Sequence, residues 1–72
     1  MWKWEKSTMW KWEITMVNLD TWEKVSHISD EAFSSIVKAY SDILESITEG
    51  RLDELFPPAH FQLAYVVFHK ES

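Results

Sequence analysis

From residue 33 to residue 47 the large apolar side chains fall at Phe33, Ile36, Val37, Tyr40, Ile43, Leu44 and Ile47. This three- and four-residue spacing gathers onto one face only if the backbone is α-helical. The punctuation agrees. Ser29 offers a hydroxyl to cap the first free amides, and Asp30 and Glu31 follow where the helix dipole favours negative charge. Gly50, the only glycine, stands where a left-handed residue would end the helix. The spacing predicts a helix over residues 30–49.

The flanking segments follow a different period. Trp10, Trp12, Ile14 and Met16 alternate with Lys11, Glu13 and Thr15, the pattern of a strand with one apolar face. Asn18-Leu19-Asp20 suits a turn, because Asn and Asp side chains bond to nearby backbone and tolerate left-handed geometry. Thr21 to Ile28 reads as the returning strand. Its alternation is poor, with Trp22 and Ile28 sharing a parity with Lys24 and Ser26, and a bulge or twisted edge is expected there. Beyond the helix, Arg51 to Phe56 reads as one more helical turn, stopped at Pro57-Pro58. His60 to His69 reads as a last strand, with Phe61, Leu63, Tyr65 and Val67 on one face and Ala64, Val66 and Phe68 on the other. One helix cannot cover both faces of a small sheet. Ala64, Val66 and Phe68 are therefore expected at an oligomer interface.

These elements define an α+β chain: a small antiparallel sheet of three to four strands with one amphipathic helix packed across it, in the order (β)ββαβ. Residues 1–72 form one domain. The uncertain strand lies at the start, where Met1-Trp2-Lys3-Trp4-Glu5 recurs as Met9-Trp10-Lys11-Trp12-Glu13. Residues 1–8 are either an edge strand or a duplicated extension.

A chain of 72 residues buries only about 60% of its unfolded surface, so its core needs reinforcement. With no cysteine, disulfides and thiolate metal sites are excluded. What remains is an aromatic core, which five tryptophans can supply, and self-association. The lack of thiols fits a reducing cytoplasm, and Met1 to Thr8 has no apolar stretch of the secretory kind. The purely apolar run Leu63 to Phe68 is far too short to span a bilayer as a helix.

Catalytic chemistry finds little support in the residues. His27, His60 and His69 have no metal-binding spacing, and His60 and His69 leave their strand on opposite faces. Ser34, Ser35, Ser41 and Ser46 lack a nucleophile elbow, and one glycine cannot make a phosphate cradle. No enzyme, cofactor or metal site is expected.

Charge is more informative. Up to residue 28, Lys3, Lys6, Lys11 and Lys24 balance Glu5, Glu13, Asp20 and Glu23, so the whole net charge of −5 belongs to residues 29–72. That excess repels nucleic acid and anionic membrane alike. Asp42, Glu45 and Glu49, three and four apart, form one acidic row in water, continued by Asp53 and Glu54. The bland reading is a solubilising face; the functional reading is a docking surface for a basic protein. Trp10 and Trp12 belong to the core under the helix. Trp2, Trp4 and Trp22 are harder to bury and suit a partner contact, since a large rigid ring is placed at little entropic cost.

The residues therefore point to a non-enzymatic, acidic protein-binding module that forms a homo-oligomer. Its chemistry suits an inhibitor or regulator of the phage or mobile-element type, acting on a nucleic-acid-handling protein. Two alternatives stand beside it. One is an oligomeric binder of a nucleotide or similar planar ligand in an aromatic-lined interface pocket, with Lys3, Lys6 and Lys11 near the phosphate. The other is a purely structural oligomer subunit.

Overall fold

The computed structural model describes residues 8–71, and Trp2 and Trp4 lie outside them. Strand β1 (Met9–Asn18) and strand β2 (Lys24–Ile28) lead into helix α1 (Ile36–Thr48), and strand β3 (Phe61–Glu71) completes the chain. The sheet is antiparallel with order β2-β1-β3, so the first strand is central and β3 lies at an edge. This is the expected α+β arrangement. A fourth strand at residues 1–8 falls almost wholly outside the described residues.

The β1–β2 connection forms as its residues dictate. Asn18 Oδ1 accepts from the amides of Asp20 and Thr21 at 2.8 and 3.2 Å, an Asx-type turn. Trp22 then takes a left-handed backbone with φ 66°, which lets the chain reverse before Lys24. The returning strand is shorter than expected, and β2 pairs with β1 without a bulge from Glu13↔Ile28 to Val17↔Lys24. The irregularity lies instead in β3. Thr15 faces Tyr65 and Met16 faces Leu63, so Ala64 is the extra residue.

That bulge re-sorts β3. Leu63, Val66 and Phe68 share the face of Met16, Ile14 and Trp12, while Tyr65, Val67 and His69 share the face of Thr15, Glu13 and Lys11. Val66 and Phe68 accordingly pack against the core beneath α1. They are not the free face expected of an oligomer contact; of that trio only Ala64 is exposed.

The helix begins later than its spacing predicts. Ser35, not Ser29, is the N-cap, its hydroxyl accepting from the Lys38 amide at 3.1 Å. The sheet has captured residues 29–33. The Ser29 amide donates to the Trp12 carbonyl at 2.9 Å, and Phe33 and Trp10 exchange both backbone bonds at 2.7 Å. Buried Ser29 also accepts from the Trp12 amide and donates to the Glu31 carbonyl. Backbone pairing along β1 thus outweighs the helical propensity of Asp30 to Phe33. The other end follows expectation. Gly50 has φ 73°, its amide donates to Ile47, and the Arg51 amide donates to Ser46, the Schellman pattern.

The core consists of Trp12, Ile14, Ala39, Ile43, Leu52 and Phe56. From α1 only Ala39, Ile43 and Ser46 are buried. Ser46 satisfies its hydroxyl on the Asp42 carbonyl at 2.9 Å. Ile36, Val37, Tyr40, Leu44 and Ile47, read from the sequence as core, are instead exposed. The helix is rolled so that Ala39, Ile43 and Ser46 meet the sheet. Leu52 and Phe56, from the turn after Gly50, fill the space an inward-facing apolar stripe would have taken.

Candidate functional site

The roll of α1 divides its surface into three strips. The buried strip of Ala39, Ile43 and Ser46 lies between an apolar flank and an acidic flank. On the apolar side, Tyr40 packs near Phe68 of β3, with ring centroids 6.2 Å apart. Ile47 and Leu63 line a small notch of about 90 Å³ with Ile14, Met16, Leu52, Asp53 and Phe56. This flank therefore overhangs the edge strand. Helical spacing puts Val37 and Leu44 on the same flank, further out, and Val37 is 71% exposed.

The acidic flank faces the other way, toward β2. There a cleft of about 510 Å³ opens between α1, residues 29–31 and the turn after Gly50. Asp30, Glu31, Asp42 and Glu54 line it together with Arg51, His27 and Trp12. Asp30 and Glu31 were expected in the first helical turn; displaced from it, they face the helix across the cleft.

The predicted acidic row is only partly in water. Glu45 and Glu49 are exposed, but the Asp42 side chain is 27% exposed and accepts from the Trp12 indole N–H at 2.8 Å. Trp12 itself is buried. Asp42 thus fastens helix to sheet as well as lending charge to the cleft. Arg51, which the sequence reading did not single out, folds back after Gly50 onto all three acids. Its guanidinium lies 2.8 Å from Glu49, 3.4 Å from Glu45 and 3.9 Å from Asp42. The hydrogen bond to Glu49, then the charges of Glu49, Asp42 and Glu45, hold Arg51 above its ordinary pKa. The signal was legible: one cation just past the glycine, in register to return on the acids of the last helical turns. Asp53 is separated from the row and lines the apolar notch instead.

The remaining candidates are dispersed. Trp22 is 74% exposed on the β1–β2 connection, away from the cleft-lining residues. His60 pairs with Asp20 at 3.1 Å and His69 with Glu13 at 2.6 Å, while His27 lies tilted against Trp12 and edge-on to Phe56. Among the described residues no three His, Cys, Asp or Glu side chains are grouped to hold a metal ion. No helix among them is long and apolar enough to cross a membrane. Compared with known proteins, the chain matches no family model, no curated protein and no solved structure.

Proposed function

We propose that this chain is a non-enzymatic protein-binding module that uses the two flanks of α1 as separate docking surfaces. The observation that carries this reading is the exposed apolar flank. Five large apolar side chains of a thirteen-residue helix are 42–71% exposed, while Ala39, Ile43 and Ser46 occupy the core. A helix required only to fold would turn the larger residues inward. A contiguous apolar surface beside a polar one marks a protein contact.

The acidic cleft supplies selectivity. Its four carboxylates and single guanidinium attract a basic protein segment and speed its arrival. A nucleic-acid-handling protein has such a basic surface, and an acidic module seated on it would act as an inhibitor or regulator. The same carboxylates disfavour a nucleotide phosphate. Trp22 provides a further contact, because an exposed ring on a left-handed backbone adds little to folding.

The test is capture from an extract of the native host at low and high salt, comparing the wild-type chain with Glu31→Lys/Glu54→Lys. Both residues line the cleft without an assigned side-chain bond to the core. Retained melting temperature with capture lost at low salt supports the reading. Equal capture by both chains overturns the cleft as the selective surface, and capture of nothing by either overturns the proposed regulator.

A further inference from the structure

We propose that the occupant of the apolar flank is a second copy of this chain, joined by antiparallel pairing of β3 with β3 across a two-fold axis. The inference rests on the protein-binding reading of α1 and names the partner of that surface.

The backbone supplies the first argument. β3 runs for eleven residues at the sheet edge, and among the described residues only one of its sides is paired, with β1. Protected edges carry prolines, inward charges or repeated bulges. β3 has one bulge at Ala64, and from Tyr65 onward its ladder is regular. Phe61 to Phe68 contains no charge and no proline. An antiparallel strand is complementary to itself, because a two-fold axis that sets an N–H of one copy on a C=O of the other also forms the reciprocal bond.

Charge distribution supplies the second. A chain of net charge −5 repels its own copy unless the contact avoids the charge. The acids lining the cleft lie on the β2 side of α1, whereas Ile36, Val37, Tyr40, Leu44 and Ile47 bring no charge to the β3 side. Apart from Asp53, which lines the notch with Ile47 and Leu63, contact through β3 puts uncharged surface together and holds the two clefts apart. A basic heterologous partner fits the acidic flank, not this one.

Geometry supplies the third. Pairing two β3 edges joins two three-stranded sheets into one of six, in the order β2-β1-β3-β3-β1-β2. A two-fold axis normal to the sheet leaves both helices on one face, with their apolar flanks directed at each other over the paired β3 strands. A specific contact takes roughly 800 Å² from each partner. That is about 15% of this chain's 5230 Å² surface, and an eleven-residue edge with five adjoining large side chains supplies an area of that order.

The test uses the full chain. Sedimentation equilibrium is expected to give twice the 8.6 kDa chain mass at micromolar concentration. Leu44→Glu should raise the dissociation constant about 100-fold or more, by placing two like charges in the apolar contact. Because the chain has no cysteine, single-cysteine variants report the axis directly. Cysteines placed one at a time at Tyr65, Val66, Val67 and Phe68 should include one or two that cross-link rapidly to their own copies. Cysteine at Ser26, on the opposite edge strand, should not. A monomer at all concentrations overturns the proposal; protection of the β3 amides from hydrogen exchange in that monomer would assign the edge to residues 1–7 of the same chain. Cross-linking at Ser26 alone, or dimers insensitive to Leu44→Glu, also overturns it. A monomer that captures a host protein through the cleft refutes the second copy yet leaves the protein-binding function standing.

Discussion

The indole N–H of Trp12 donates to Asp42 Oδ2 at 2.8 Å, so one hydrogen bond ties the central strand to the middle of the helix. The donor is buried and its acceptor is charged, the combination in which loss of one partner costs most. Asp42→Ala should lower stability by about 1–3 kcal/mol, whereas Asp42→Asn, which keeps an amide oxygen in place, should lose less than half of that. Urea unfolding monitored by tryptophan fluorescence measures both. Equal losses in the two variants would mean that the carboxylate acts through charge alone.

Ile43 is 1% exposed and Val37 is 71% exposed, although the sequence put both on the same apolar stripe. In dilute solution Ile43→Ala should cost about 2–5 kcal/mol through the cavity it leaves. Val37→Ala should change stability by no more than about 0.5 kcal/mol. Thermal or urea unfolding of the pair therefore reads out which strip of α1 meets the sheet, and reversed magnitudes would contradict the roll of the helix.

Two residues hold left-handed backbone, with opposite consequences. At Gly50, φ 73°, an added Cβ would lie 3.1 Å from Asp53 Oδ2, and Gly50→Ala should cost about 1–2 kcal/mol. At Trp22, φ 66°, the side chain is exposed and the residue type is poorly suited to its backbone. Trp22→Asn should stabilise the fold by about 0.5–1 kcal/mol while weakening capture of the basic partner. Destabilisation by Trp22→Asn would return that ring to a structural role.

Arg51 pairs with Asp42, Glu45 and Glu49 at the acidic flank. These pairs are largely solvent-exposed, so Arg51→Gln should leave the melting temperature within a few degrees of wild type. It also removes a positive charge that opposes a basic ligand. Association with the basic partner should quicken several-fold at low salt, and the gain should vanish as salt is raised. Stopped-flow mixing at two ionic strengths measures this. Slower association would show that Arg51 itself contacts the partner.

Which parts of this fold were legible follows from what sets each one. The β1 alternation, the Asn18 turn and the Gly50 stop are local, and a short window of sequence contains their causes. The start of α1 is not local. Ser29 and Ser35 are both competent caps, and the choice is made by Trp10 and Trp12, whose backbone binds Phe33 and Ser29. The bulge at Ala64 is likewise set by pairing with Thr15 and Met16, far away in the chain. The roll of α1 could not be read from spacing, because the apolar stripe is wide enough to include both the buried Ile43 and the exposed Tyr40. Leu52 and Phe56, from the turn after the helix, share the core with Ala39 and Ile43 in that roll. The acidic cleft was half visible: its helix acid, Asp42, follows from spacing, but Asp30 and Glu31 face it only because the helix starts late.

The central position of the first strand has a consequence for the order in which the chain can fold. β1 pairs with β3 in a register that sets Met9 opposite Glu71, so the two partners are separated by nearly the whole sequence. During synthesis β1 and β2 emerge together and can form a hairpin, but an isolated two-stranded hairpin is at best marginal in water. The second edge of β1, with Trp10, Trp12 and Ile14, stays unpaired until their partners Lys70, Phe68 and Val66 arrive. Folding is therefore governed by closure of a long loop between β1 and β3, and β3 is the segment whose arrival commits the rest.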